Sequence, residues 1–164
     1  MMREEPSKAE NKNTKQKGYI YSIGFFGGLF ASLTAYIAHI INFVPFGPGM
    51  IWQLWPTYEQ TAWMRRYPGH LLSIVLISLL SVFIAWLYYA LFRKKQNVWF
   101  GIWFGIALWV LLFIGLHSLI PGVKSVHELG WNTNIVFLSI FALYGLFVGY
   151  SIYYESELHE KGRG

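Results

Sequence analysis

Charged and apolar positions alternate in long blocks along this chain. Asp, Glu, Lys and Arg are missing from Gly18 to Tyr58, Tyr67 to Phe92, Gln96 to Val123 and Leu129 to Tyr154, intervals of 41, 26, 28 and 26 residues. About 20 helical residues cross the hydrocarbon core of a bilayer, so each interval is long enough to span. A soluble bundle would need a polar face recurring every 3.6 residues. From Leu71 to Phe92 the polar groups are Ser73, Ser78, Ser81 and two tyrosines, scattered around the helix. A β-barrel would need apolar and polar residues in strict alternation, and no interval shows it.

The first interval crosses once. Ile20 to Asn42 is uninterrupted, but Pro45, Gly47, Pro48, Gly49 and Pro56 follow, and irregular backbone is not tolerated against lipid. The spans are therefore placed at 20–41, 70–92, 98–119 and 134–153. Residues 1–17 read as a disordered basic cytoplasmic tail, residues 18–154 as the transmembrane domain, and residues 155–164 as a second cytoplasmic tail. The first apolar run exceeds the length of a signal-peptide core, which predicts an uncleaved anchor.

Composition adds orientation. Lys and Arg number 13 against 8 acidic residues, all of them Glu. The amino-terminal segment, the second loop and the carboxyl tail hold ten of the 13, and the first and third loops hold three. Positive residues stay on the cytoplasmic side, so both termini are expected inside. The fold class expected is all-α integral membrane: a four-helix bundle, with an aromatic segment in the first outer loop. That loop, residues 44–69, carries Trp52, Trp55, Tyr58, Trp63 and Tyr67. It is expected to turn at Pro45–Gly49 and continue as a helix or broken helix in the interface. Lys12, Lys15 and Lys17 are placed against anionic headgroups. The lipid bilayer is thus the first partner. Nucleic acid is not, because the basic excess reports topology.

Side-chain size forms a second pattern. Gly24, Gly28, Ala31, Ala35, Ala38 and Asn42 recur at helical spacing along the first span, opposite Ile23, Phe26, Phe30, Leu33, Ile37 and Ile40. Apolar side chains gain nothing by leaving lipid, so small residues that admit a neighbouring backbone mark the packing face. Gly101 and Gly105, and Gly145 and Gly149, repeat the four-residue step. With both termini inside, all three glycine pairs fall in the cytoplasmic half, where the closest packing is expected.

Catalytic chemistry has little to work with. Without Asp there is no Ser/His/Asp triad, without Cys no thiolate, and no span carries a charge of the kind that couples ion transport. Four histidines, His39, His70, His117 and His127, fall in the outer half or outer loops, with Glu59 and Glu128. His39, Asn42 and His117 form a candidate outer polar site for a metal or a proton. No spaced metal motif is present and no cofactor is expected.

The segments Gly24-Phe25-Phe26-Gly27-Gly28-Leu29-Phe30, Pro121-Gly122-Val123-Lys124-Ser125 and Leu143-Tyr144-Gly145-Leu146-Phe147-Val148-Gly149-Tyr150-Ser151-Ile152 resemble the YqhR family. These are small membrane proteins of Bacillus and its relatives, without an established biochemical activity. The resemblance covers the four spans and leaves both tails unmatched. It implies the cytoplasmic membrane of a Gram-positive bacterium and carries over no catalytic residue. The role expected is a non-enzymatic accessory, assembly or regulatory subunit, with a membrane-protein partner or a homo-oligomer. The alternatives are a small transporter or pore using the outer His/Asn site, and a membrane enzyme with an outer His/Glu site.

Overall fold

The computed structural model describes residues 8–54, 62–92, 97–115, 126 and 129–161. Four helices organise them: α1 Lys8–Ile40, α2 Tyr67–Phe92, α3 Val98–Val110 and α4 Gly130–Lys161. A π-helical turn, Leu111–Gly115, extends α3, and two 3-10 turns, Pro48–Leu54 and Ala62–Arg65, lie between α1 and α2. The segments long and apolar enough to cross a membrane are Lys17–Ile40, Tyr67–Phe92, Val98–Gly115 and Gly130–Leu158. Among the described residues there is no strand. The protein is an all-α, multi-pass membrane protein.

The ends of the helices follow local chemistry. Asn42 adopts φ 58°, the left-handed conformation that closes a helix. The Asn42 amide donates to His39 O at 3.0 Å and the Phe43 amide to Ala38 O at 2.9 Å, which satisfies two of the last carbonyls before Pro45. Pro68 sits in the first turn of α2, where its missing N–H costs nothing. Asn97 caps α3 by accepting the Trp99 amide at 3.2 Å.

At both termini the helices outrun the spans read from sequence. The segment expected to be a disordered tail up to Lys17 is helical from Lys8. Lys, Ala, Glu and Gln are good helix formers, and a helix already nucleated by the span lengthens without a new nucleus. The carboxyl tail is likewise helical as far as Lys161. In the first loop the turn and broken helix take the form of the two 3-10 turns. Residues 116–119, the end of the expected third span, lie outside the described residues, as do Trp55, Tyr58 and Glu59.

In the bundle α1 packs along α2, α3 along α4, and α1 across α4. One end, the terminal end, holds the start of the α1 span, the end of α2, the start of α3 and the end of α4. Its core is Ile20, Ile23, Ala85, Tyr88, Phe104, Tyr144, Val148 and Ile152. There α2 meets α3 through the Tyr88 and Phe104 rings, 5.0 Å apart. The other end, the loop end, is built from Ala35, Ala38, Val44, Phe113, Leu129, Phe137 and Ile140. Its π turn presents Phe113, 1% exposed, to Phe137 at 5.4 Å. Phe26, Phe30, Ile37 and Ile40 are exposed to the surroundings, as the size pattern requires. Ile23 departs from that pattern: it lies on the large-residue stripe but is 5% exposed, because α4 covers α1 at this level.

Candidate functional site

Six glycines bring the helices together at the terminal end. A methyl added to Gly24 would stand 2.6 Å from Val82 Cα, and one on Gly28 would strike Ser81 and the backbone at Ser78. The first glycine pair therefore seats α2. Gly101 faces the carbonyl of Gly145, and Gly105 faces that of Phe141. A methyl on Gly145 would stand 2.8 Å from Gly105 Cα, and one on Gly149 would stand 2.7 Å from Gly101 Cα. Real side chains do not pack this closely, so α3 and α4 touch backbone to backbone. Ala35 and Ala38 continue the stripe into the loop-end core, with Ala31 beside them.

One polar tie crosses this half. Ser81 Oγ lies 2.7 Å from Gly24 O and 2.7 Å from the Tyr144 hydroxyl. A serine hydroxyl has one proton. It goes to the Gly24 carbonyl, and Tyr144 then donates to Ser81 Oγ, so that α1, α2 and α4 share one chain of hydrogen bonds. Beside Tyr144 an apolar groove of about 330 Å³ runs between α1 and α4, lined by Gly27, Phe30, Ala31, Thr34, Ile140 and Phe147 among others. Thr34 Oγ1 donates to Phe30 O at 2.8 Å, so the wall hydroxyls of the groove are already engaged.

At the loop end the residues expected to form a polar site part company. His39 faces the bundle, half-buried, and its Nδ1 lies 3.3 Å from Val44 O. Asn42 does not join it: it is exposed and spends its unusual backbone on ending α1. His117 lies outside the described residues. The partner that α1 does find is His70, in the first turns of α2. The His70 ring sits 5.3 Å from His39 and 5.3 Å from Tyr36, one turn of α1 apart. The 3-10 turn Pro48–Leu54 closes over the pair. Gly49 donates its amide to His70 Nδ1 at 3.1 Å, and Trp52 Nε1 donates to Gly69 O at 2.9 Å. A methyl on Gly47 would meet the His39 ring at 3.0 Å, and one on Gly49 the His70 ring at 2.8 Å.

These bonds set the role of each Nδ1. His39 Nδ1 faces a carbonyl and therefore donates. His70 Nδ1 accepts, so its proton is on Nε2. Among the described residues no group of three or more His, Cys, Asp and Glu is placed to hold a metal ion.

A family model described as "Conserved membrane protein YqhR" matches residues 2–163. The chain belongs to the YqhR family. It is 38% identical over 170 residues to the Bacillus subtilis (strain 168) protein named "Uncharacterized protein YqhR", an alignment covering 98% of this chain and 94% of that one. No solved structure matches. The match reaches into both tails, which corrects the expectation that the YqhR resemblance stops at the spans. The helices themselves continue there, to Lys8 and Lys161.

The sequence places the six glycines on packing faces and His70 in the outer half, but does not show the His70 pairing with His39 and Tyr36, the approach of Gly47 and Gly49, or the Ser81–Tyr144 tie. The signals were small. Tyr36 and His39 share a helix face at a spacing of three, and Gly47 and Gly49 flank a proline where a backbone must approach closely.

Proposed function

We propose that this chain is a non-enzymatic accessory, assembly or regulatory subunit of a bacterial cytoplasmic membrane, acting through helix–helix and loop contacts with both termini in the cytoplasm. The observation that carries the reading is the terminal half of the bundle. Glycine lets the backbones of α3 and α4 touch there, and the polar tie within it is spent on holding three helices together. A transporter or pore needs polar groups available to a solute along a path across the bilayer. The excess of Lys and Arg in the tails and second loop supports the orientation. Lys12, Lys15 and Lys17 belong to α1, and the reading assigns them to anionic headgroups.

The test uses the intact protein. Cross-linking in native membranes followed by purification is expected to recover a membrane protein at fixed stoichiometry. Proteoliposomes holding the purified chain are expected to pass small solutes no faster than empty liposomes. Flux above the empty control replaces this reading with the transporter, and accessibility of a terminal tag from outside intact cells reverses the orientation.

A further inference from the structure

One of the hydrogen bonds that tie the turn over the two histidines to α2 can be made only by a neutral imidazole. Gly49 N–H points at His70 Nδ1 from 3.1 Å. The neutral ring offers a lone pair there; the imidazolium carries N–H at both nitrogens and has none. Proton uptake from solvent at Nδ1 therefore turns an acceptor into a donor and sets it against another donor. The His39 bond responds differently, because its Nδ1 already donates to Val44 O. We propose that His70 is a proton-binding site whose occupation releases the 3-10 turn Pro48–Leu54 from the outer ends of α1 and α2.

The surroundings favour release over accommodation. The titratable groups facing His70 from α1 are Tyr36 and His39. The turn 48–54 contributes none, and the exposed Arg66 precedes α2. The carboxylates whose side chains are described, Glu155 and Glu157, stand at the opposite end of the bundle. A cation on His70 thus has a second imidazole 5.3 Å away and no described carboxylate beside it. Nor can the turn slide to relieve the contact, because Gly47 and Gly49 already lie against the two rings. Release would uncover the His39 and His70 rings and part the Trp52 indole from Gly69 O. The accessory role plays no part in this inference, since the switch would operate whatever the bundle serves.

Hydrogen–deuterium exchange on the full-length protein in nanodiscs reads the latch. After correction for intrinsic exchange, protection of the peptide containing Gly49 is expected to fall about tenfold between about pH 7.5 and about pH 5, the size of effect expected for one buried hydrogen bond. In His70→Asn the side-chain oxygen stands where Nδ1 stood and takes up no proton, so protection stays within about twofold across that range. His39→Asn leaves the acceptor of the Gly49 amide in place and keeps the fall. Elution profile and helical circular dichroism check that each variant folds. On the unaltered chain, the ¹⁵N shifts of the His70 ring are expected to titrate with the same midpoint as the loss of protection. Constant protection in the wild type overturns the proposal. So does an equal fall in His70→Asn, a fall abolished by His39→Asn alone, or a His70 ring that stays neutral while protection is lost.

Discussion

Both ends of this bundle pack aromatic rings, but the terminal end adds direct backbone contact between helices. Along the α3–α4 contact at the terminal end glycines leave no side chains between the helices, which meet through backbone atoms. At the loop end the space is filled by rings: Phe46 stacks on Phe137 at 5.2 Å, Phe113 leans on Trp109 at 5.8 Å, and His70 sits between Tyr36 and His39. Backbone-to-backbone contact leaves nothing to rearrange, because no rotamer change makes room. Rings joined by single hydrogen bonds have alternatives. The irregular features gather at the same end: the π turn, the left-handed Asn42, and the 3-10 turns. So do buried polar atoms that lack a partner among the described residues, Trp109 Nε1 and Asn134 Oδ1. The difference teaches that one end holds the bundle and the other is built to respond.

The contrast is broken most directly at Gly105 or Gly145. Leucine at either position has no room against the facing backbone, so the α3–α4 pair should separate. The expected loss is at the upper end of the overpacking range, about 3 kcal/mol, read as aggregation on size exclusion or a large drop in melting temperature in detergent. Gly18 is the control. Nothing lies within 4 Å of an added methyl there, so Gly18→Ala should leave the protein as stable or gain a few tenths of a kcal/mol, up to about 1 kcal/mol, from helix propensity.

A smaller effect is expected where α1 ends. Asn42→Val places a β-branched residue in the left-handed region and should cost about 1–2 kcal/mol, whereas Asn42→Gly should be neutral. Equal melting temperatures for the two variants would show that the cap is unimportant. At the loop end Gly49→Ala pushes a methyl into the His70 ring. It should leave the global melting temperature within a few degrees while speeding proteolysis of the first loop. Global destabilisation as large as that of Gly145→Leu would erase the distinction between the ends. The smallest effect belongs to Ser81→Ala. Interhelical hydrogen bonds in membranes average about 0.6 kcal/mol, and Tyr144 retains the Ser81 carbonyl at 3.3 Å as an alternative acceptor.

The legibility of these features follows from their range. The glycine pairs were readable because spacing along one helix dictates which residues share a face, and Gly101, Gly105, Gly145 and Gly149 all lie on faces that meet. Helical spacing pairs Asn42 with His39, but the backbone leaves the helix between them. His70 was recognised as an outer residue, yet its pairing with His39 depends on how α2 is rotated against α1. That rotation is set by Gly24 and Gly28 seating on Ser78, Ser81 and Val82, far down the same interface.

Charge-free length and the count of Lys and Arg in the flanks determined, from the sequence alone, a chain that enters hydrocarbon four times, because the solvent acts on each segment separately. Glycine spacing marked the faces that adhere. Tertiary structure alone decided what those faces meet and what their meeting places together: the Ser81–Tyr144 tie across three helices, and the His39–His70 pair under its 3-10 turn. Contacts between residues far apart in the chain depend on the rotation and depth of whole helices, and no local pattern encodes those.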